Sequence, residues 1–351
     1  MKICIFTVYN SENCGSYWQA KALKDYCTKQ GHEVCFMFRE DKGTSHDRRK
    51  LFEYCAKASI KLRFGRIPRY IQKYDSFEKA ISEFKVINEI DSSIDVCIFG
   101  SDTIWEITNG YFYAHRSVYW GGMSGNSVRI AYAPSVGNAT REDYRNKNEL
   151  TEHLKLFSNI SVRDLNSKSC LESLTNKPVE IVCDPTWLFD MSYYNQFTTK
   201  PEDEHYLLVY CFGNLSNVLQ NEVHNYARKK NLKIVSFGES FERCDKKLPF
   251  DPYLFVSYYR YADVIFTNTF HGTLFSVMFE KAFAVETRGK TKVVEILEEI
   301  GATDRIYQEN NLESVYSKFI NYAVLRKHIF TFRLKSSEYL DNSLRRVYAN
   351  H

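Results

Sequence analysis

The sequence predicts an α/β fold in which two doubly wound units face one another. The chain has 351 residues, which is long for a single hydrophobic core, so two domains are expected. Apolar runs rich in β-branched and aromatic residues alternate with segments of helical periodicity, a pattern typical of parallel sheets covered by helices on both faces. The periodicity is lost between Asp190 and Asp203, where we place the domain boundary.

The predicted elements follow that alternation along the chain. Strands are expected at 2–9, 94–100, 129–134, 160–163, 179–183, 206–212, 233–237, 262–267 and 282–286. Helices are expected at 16–30, 143–157, 165–174, 218–229 and 292–300. We therefore predict a first domain over residues 1–195, a second over 203–311, and a helical segment over 312–351 that packs back on the first domain.

Composition and charge narrow the function classes. Hydrophobic residues make up 44% and charged residues 26% of the chain, ordinary values for a globular protein. The formal net charge of +4 is too small to indicate a nucleic-acid partner. The ten cysteines lack C-x-x-C spacing, no H-x-x-x-H motif occurs, and no apolar run reaches the length of a membrane span. We expect a cytoplasmic protein without a metal site.

Small and polar residues follow five of the predicted strands. In open α/β sheets, ligands bind beyond the carboxyl ends of the strands, so these positions form the candidate site. They are Asn13, Gly15 and Ser16; Ser101 and Asp102; Arg163 and Asp164; Asp184; and the stretch 268–273.

Two of these corners place a glycine and a hydroxyl residue at the start of a helix. Gly15 precedes Ser16, and Gly272 precedes Thr273. Free N–H groups and the positive end of the helix dipole suit an anion at such a position. An ordinary helix N-cap without a ligand is the alternative interpretation.

Arg163 and His271 are the most informative residues at these corners. A guanidinium at the end of an apolar strand is costly unless it meets a carboxylate or a phosphate. Arg163 therefore either binds an anionic ligand or pairs with Asp164 or Asp184. His271 precedes a glycine at the sheet edge, where a histidine serves as acid, base or anion ligand, or else caps its helix.

Six motifs in chain order carry a resemblance to one known family. They read NCGSYWQAKAL, IFGSDTIW, IAYAPSVG, ISVRDLNS, CDPTWL and TNTFHGTLFSVMFEKAF. Together they resemble the signatures of the polysaccharide pyruvyl transferase family over most of the chain. The resemblance implies two Rossmann-like domains facing across a cleft, in the arrangement of GT-B glycosyltransferases, with the site in that cleft.

The resemblance also implies a reaction and roles for three residues. A pyruvyl group passes from phosphoenolpyruvate, a co-substrate rather than a cofactor, to two hydroxyls of a sugar, which is usually carried on a lipid, and a cyclic ketal forms. Arg163 then holds the carboxylate or phosphate of the donor, and His271 is the proton donor or a phosphate ligand. Asp102 orients acceptor hydroxyls or acts as base, with capping of the following turn as its alternative role.

Further residues at the same corners complete the predicted site. For the donor they are Gly15, Ser16, Asn268, Gly272, Thr273 and Arg288, and for the acceptor Asn13, Ser101, Trp105 and Asp184. Some members of the family carry an arginine directly before the histidine, where this chain has Thr269 and Phe270. A second cation would then come from Arg288, Lys292 or Arg305, and Arg288 is favoured because it follows the strand predicted at 282–286.

A basic stretch at residues 42–73 holds ten Lys or Arg against two acidic residues, with apolar residues interleaved. A basic amphipathic helix of this kind can lie on an anionic membrane surface, and a lipid-linked acceptor favours that interpretation. A solvated helix that covers the sheet is the alternative. We expect a cytoplasmic protein that is peripheral at the inner face of the plasma membrane.

Two other function classes compete with the pyruvyl transferase interpretation. A nucleotide-sugar glycosyltransferase of the same architecture would be expected to carry two glutamates seven residues apart in the second domain, and Glu286 and Glu295 miss that spacing. A non-catalytic saccharide-binding protein is disfavoured by the accumulation of His271, Arg163 and Asp102 at strand ends.

Overall fold

Two parallel β-sheets organise the chain. The computed structural model describes residues 1–11, 13–38, 67–238 and 240–349, together with 52, 53, 55–57 and 59. Within this part, a seven-stranded sheet has the order β3-β2-β1-β4-β5-β6-β7 and a five-stranded sheet the order β10-β9-β8-β11-β12. The predicted α/β class with two doubly wound units is confirmed.

The strands of the first sheet are β1 (Lys2–Phe6), β2 (Glu33–Met37), β3 (Val86–Ile87), β4 (Val96–Gly100), β5 (Val128–Tyr132), β6 (Phe157–Val162) and β7 (Val179–Ile181). Those of the second are β8 (Tyr206–Tyr210), β9 (Lys233–Phe237), β10 (Lys246–Leu248), β11 (Val264–Thr267) and β12 (Ala282–Val285). The central strands β4, β8 and β11 are buried along their whole length, as continuous apolar strands covered on both faces must be.

The helices, numbered in chain order over the described residues from 14 onward, are α1 (Cys14–Lys29), α2 (Ile67–Ile81), α3 (Gly110–Ala114), α4 (Arg116–Tyr119), α5 (Asn148–Lys155), α6 (Leu165–Glu172), α7 (Met191–Asn195), α8 (Asn217–Lys229), α9 (Pro252–Tyr261), α10 (Phe270–Met278), α11 (Thr291–Glu299), α12 (Leu312–Ser317) and α13 (Tyr322–Ala349). Short 3₁₀ helices occupy Pro185–Leu188 and Thr303–Arg305. None of the helices in the described part of the chain combines the length and apolar character that a membrane span requires.

Several boundaries differ from the sequence prediction. The strands β2, β3 and β10 were missed, and the last two have only two and three residues at sheet edges, too few for a periodic signal. The helix predicted at 143–157 is confined to Asn148–Lys155, because Phe157 begins β6 and pairs with Arg129 of β5. The segment predicted as helical from residue 312 is interrupted between Ser317 and Tyr322.

The strand order defines one switch point in each sheet. In the first sheet, β1 lies between β2 and β4, and in the second, β8 lies between β9 and β11, so the connections leave in opposite directions at those strands. A crevice forms beyond the carboxyl ends of the strands at such a point, and ligands bind there in open α/β sheets. The two crevices face each other, since residues that follow strands of both sheets line one cavity.

Helix α1 of the first unit packs directly against the second. Trp18 donates its indole N–H to the carbonyl of Pro252 at 2.9 Å, and the hydroxyl of Tyr210 donates to Oδ1 of Asn13 at 3.1 Å. The indole of Trp187, on the 3₁₀ helix that follows β7, reaches the carbonyl of Leu274 at 3.4 Å. These bonds join the two units where their strand ends meet.

The long helix α13 lies against the first sheet. Tyr339 donates its hydroxyl to the carbonyl of Ala131 in β5 at 3.0 Å, and Ser336 accepts the backbone N–H of Cys183 at 2.8 Å. Arg333 donates to the carbonyl of Trp187 at 2.6 Å. The basic stretch at 42–73 falls largely outside the described residues, and the membrane contact expected for it stays a prediction.

Candidate functional site

A cavity of about 240 Å³ lies where the two switch points face each other. Its walls come from the segments that follow β1, β4, β5, β6, β8, β11 and β12. The lining residues are Asn13, Asp102, Asn138, Arg163, Tyr210, Phe212, Asn268, Thr269, Phe270, His271, Gly289, Lys290, Lys292 and Val293.

Arg163 is held at the base of this cavity by a buried carboxylate. Its Nη1 donates to Oδ2 of Asp184 at 2.9 Å and to Oγ of Ser101 at 3.2 Å, and its guanidinium stacks 4.5 Å from the ring centre of Phe270. Nε of Arg163 is buried and has no hydrogen-bond partner among the described residues. The structure shows the pairing with Asp184, which is one of the two sequence interpretations. Arg163 also lines the cavity, and its binding of an anionic ligand stays a prediction.

Asp184 joins Arg163 to His271. Nε2 of His271 lies 3.5 Å from Oδ2 of Asp184, which is an ion-pair distance rather than a well-formed hydrogen bond, and Nε2 has no hydrogen-bond partner among the described residues. Burial acts to raise the pKa of Asp184, but the positive charges of His271 and Arg163 and the hydroxyl of Ser101 outweigh it and hold the pKa well below its usual range. The carboxylate of Asp184 therefore stays ionised beside Arg163 and His271.

Asp102 faces the same cavity from the end of β4. Its φ of 74° lies in the left-handed region, a strained conformation that costs a non-glycine residue about 1–3 kcal/mol. Ser16 donates its hydroxyl to Oδ2 at 2.5 Å, and Nη2 of Arg163 lies 3.9 Å from Oδ1. Burial acts to raise the pKa of Asp102, yet the charges of Arg163 and His271 and the bond from Ser16 lower it overall.

At Gly15 the start of α1 lies directly against His271 of the second unit. A Cβ built at this position would lie 2.3 Å from both Cγ and Nδ1 of His271. Only a residue without a side chain leaves room for the imidazole over the start of α1. The N–H of Gly15 already donates to Oδ1 of Asn13 at 2.9 Å. The contacts therefore show a steric role for Gly15, and its role in donor binding stays a prediction.

We expect Gly15→Ala to displace the imidazole of His271 and to lower turnover, because overpacking of this kind costs about 1–3 kcal/mol. Gly110→Ala is the matched control, since a Cβ at Gly110 meets nothing within 4 Å. Thermal unfolding and turnover are measured for both variants. Equal turnover in Gly15→Ala and wild type would show that His271 needs no fixed position.

Two lysines supply the cations on the second-unit side of the cavity. Lys290 donates to the carbonyl of Asn268 at 2.7 Å. The amine of Lys292 has no hydrogen-bond or ion-pair partner among the residues that the structure describes. Burial lowers the pKa of Lys292, and the nearby charge of Arg163 lowers it further. An anion bound here would relieve both effects.

The favoured second cation, Arg288, does not line this cavity. It pairs with Glu286 at 2.7 Å, and its side chain is 63% exposed. Arg305 is buried elsewhere, against Asp304 and the carbonyl of Lys318. Of the three candidates weighed from the sequence, only Lys292 lines the cavity.

Most of the predicted helix-start residues are engaged within the protein. The side chain of Asn268 exchanges two hydrogen bonds of 2.9 Å with the backbone of Phe212 and so fixes the end of β8 against β11. Thr273 donates its hydroxyl to the carbonyl of Thr269 at 3.0 Å, and the N–H of Gly272 is capped by Thr269. Asn13 and Ser16 likewise cap α1 and anchor Asp102. For these residues the alternative of an ordinary helix cap describes the contacts present.

Three residues predicted to contact the acceptor lie beneath the cavity instead of lining it. Trp105 is fully buried, stacks 4.8 Å from Trp120 and donates to the carbonyl of Tyr119, so it belongs to the core of the first unit. Asp184 and Ser101 are buried and serve to hold Arg163.

Six cavity residues were not predicted from the sequence, namely Gly289, Val293 and the four polar or aromatic residues described next. Tyr210 is the last residue of β8 and Phe212 follows it, so this corner carries aromatic rather than polar residues. Asn138 comes directly after the motif IAYAPSVG, from which no site residue was predicted. Lys290 lies in the loop before α11, and its only signal was the cluster of cations after β12.

Among the described residues, no group of three or more His, Cys, Asp or Glu side chains is arranged to hold a metal ion. The cavity instead combines one arginine, two lysines and a histidine with the carboxylate of Asp102. Such a set can bind an anion with more than one negative charge and move a proton beside it.

The fold and the position of the cavity define a two-sheet protein of the GT-B type. An α-glucosyltransferase in complex with UDP and a 13-mer DNA containing a central A:G mismatch superposes with a TM-score of 0.52 at 12% identity, over 97% of this chain and 95% of that one. The S. aureus MnaA–UDP co-structure covers 96% of this chain and 90% of its own at 12% identity, with a TM-score of 0.48. At 12% identity the likeness to the α-glucosyltransferase concerns the fold alone.

The family is defined by sequence. A family model described as polysaccharide pyruvyl transferase matches residues 13–288, a range that contains every predicted site residue. The chain belongs to the polysaccharide pyruvyl transferase family. A search of curated proteins found no match.

Proposed function

We propose that this protein transfers the pyruvyl group of phosphoenolpyruvate to two hydroxyls of a lipid-linked sugar and releases phosphate. The observation that carries the proposal is the convergence of Arg163, His271, Lys290 and Lys292 on one cavity that also exposes Asp102. Family membership supports the reaction class. The identities of the donor, of the acceptor and of its lipid carrier are part of the proposal.

The charges in the cavity suit the donor. Phosphoenolpyruvate carries a carboxylate and a phosphate on adjacent groups, and charge-assisted hydrogen bonds are the strongest that a protein can offer to either. Arg163 presents a planar fork whose Nε is unpartnered among the described residues, and Lys292 presents an unpaired amine. We assign the carboxylate to Arg163 and the phosphate to Lys290 and Lys292, with His271 between them.

The protonatable groups suit the chemistry. The methylene carbon of the donor takes a proton from His271, and the first sugar hydroxyl adds to the central carbon as it loses its own proton to Asp102. The C–O bond to phosphate then breaks, and the second hydroxyl closes the ring. The two sugar hydroxyls release two protons in all. One of them restores the proton that His271 gave to the methylene carbon, and the other leaves with phosphate. Asp102 can accept a proton because its lowered pKa keeps it ionised at neutral pH.

Donor binding is expected to depend on Lys292 and not on Arg288. Phosphoenolpyruvate at a hundredfold its Kd should raise the free energy of unfolding of wild type by about 2.7 kcal/mol. Lys292→Met removes a charge-assisted bond worth about 1.5–3 kcal/mol and should weaken donor binding roughly 10- to 100-fold. Arg288→Met is the matched control, because Arg288 points to Glu286 and solvent.

Thermal unfolding is followed with phosphoenolpyruvate, inorganic phosphate and a nucleotide sugar in parallel. Stabilisation of wild type and Arg288→Met by phosphoenolpyruvate, with loss in Lys292→Met, is the expected pattern. Stabilisation by the nucleotide sugar alone would overturn the proposed donor in favour of a glycosyltransferase.

A further inference from the structure

A basic and apolar surface lies on the outer side of α13, away from the helix face that packs on the first sheet. We call it the basic apolar face and define it by Lys318, Phe319, Val324, Lys327, Phe330, Leu334 and Lys335. Residues three and four apart share one side of a helix, so the five members within α13 form one continuous strip.

The apolar members of this face are unusually exposed. Phe319 is 86% exposed, Val324 60%, Phe330 53% and Leu334 45%. Single exposed apolar residues need no explanation, but a contiguous group on one helix and the turn before it indicates a surface that is covered in use.

The charge of the same segment has one sign. Residues 314–337 contain five Lys or Arg and no Asp or Glu. Among the described residues, acidic groups from neighbouring elements form ion pairs with Arg326, which meets Glu280 at 2.6 Å, and with His328, which lies 3.5 Å from Glu299. The amines of Lys318, Lys327 and Lys335 have no ion-pair partner in the part of the chain that the structure describes.

We propose that the basic apolar face docks on an anionic lipid bilayer. Phenylalanine and leucine side chains insert between headgroups, and flanking lysines attract acidic lipids, which is how amphipathic helices bind membrane surfaces in plane. A second copy of this chain is a poor occupant, because a twofold contact would bring the same unpaired lysines together. The charge of the face selects an anionic partner, and its scattered phenylalanines suit a fluid surface.

The basic apolar face is connected with the candidate site. Val324, Lys327 and Lys335 also line a groove along α13. That groove shares Phe332 with a small cavity, and the small cavity in turn shares Lys292 with the candidate site. Docking would therefore hold the site beside the bilayer, where a lipid-linked sugar lies. This last step rests on the proposed function, whereas the docking itself does not.

Vesicle co-sedimentation tests the docking. Wild type should sediment with vesicles that contain phosphatidylserine, remain free of pure phosphatidylcholine vesicles, and be released by salt. The variant Lys318→Glu/Lys327→Glu/Lys335→Glu should lose partition by on the order of 100-fold or more, since each cation contributes a severalfold gain. The control variant Lys200→Glu/Lys230→Glu/Lys233→Glu reverses the charge of three exposed lysines outside the basic apolar face. It has the same net charge as the first triple variant and should retain partition. Equal partition of the two triple variants would overturn the proposal.

A fluorescent reporter tests the depth of contact. All four native tryptophans are buried, so Phe330→Trp adds one exposed indole to the protein. Brominated phosphatidylserine should quench the added fluorescence, and no quenching beyond that of wild type would overturn the insertion. Phosphate release with a soluble acceptor should be unchanged in every variant. If wild type released no phosphate, that result would count against the proposed reaction alone, because sedimentation is measured without substrate.

Discussion

His271→Ala is expected to fold normally and to lose turnover by ~10²- to 10⁴-fold, the usual contribution of a positioned proton donor. The imidazole lies over Gly15, 3.5 Å from the buried carboxylate of Asp184, and lines the cavity that holds the lysines. Turnover is measured as phosphate release from phosphoenolpyruvate in the presence of a saccharide acceptor.

His271→Gln separates proton transfer from anion binding. Glutamine can donate a hydrogen bond to phosphate but cannot deliver a proton, so this variant should bind the donor and still fail in turnover. Near-wild-type turnover in His271→Gln would reduce His271 to an anion ligand or helix cap. Near-wild-type turnover in both variants would remove it from the site.

Asp184→Asn is expected to lower the free energy of unfolding by about 3–5 kcal/mol, the usual cost of removing one partner from a buried ion pair. Asparagine retains the shape of the side chain but leaves Arg163 and His271 without their shared negative charge. The double variant Arg163→Met/Asp184→Asn should be less destabilised than the sum of the two single variants, because the uncompensated guanidinium is gone. Denaturant unfolding at neutral pH measures all of these energies.

The pH dependence of stability gives an independent check on Asp184. A carboxyl group whose pKa is depressed by folding stabilises the protein above the unfolded pKa, about 3.9 for aspartate. That stabilisation is lost as the pH falls from there toward the lower folded pKa. Wild type should therefore lose more stability than Asp184→Asn between about pH 5 and pH 2. Parallel curves for the two proteins would contradict the buried ion pair.

The fold and the edge of the sheet that carries the site could be predicted from sequence. Alternating apolar runs and helical segments give two parallel sheets, and parallel strands present their carboxyl ends at one edge. Asp102, Arg163 and His271 all follow predicted strands and were therefore predicted as site residues. The fold brings the three to one cavity. Short edge strands such as β3 and β10 were missed because two or three paired residues leave no periodic signal.

The partners of each side chain could not be predicted, because they depend on tertiary contacts. Trp105 resembles a site residue in the motif IFGSDTIW, yet its indole turns into the core beside Trp120. Arg288 and Lys292 are four residues apart, and only the start of α11 decides which of them faces the cavity. The steric reason for Gly15 depends on His271, a residue from the other unit of the fold.

The most direct test of the proposed reaction is one incubation of the purified protein with phosphoenolpyruvate and a series of lipid-linked and free saccharides. Phosphate release and the mass of the saccharide are followed together. The proposed function predicts equal amounts of phosphate and of a saccharide heavier by one pyruvyl ketal. Turnover of a nucleotide sugar with release of the nucleotide, and no consumption of phosphoenolpyruvate with any acceptor, would contradict it.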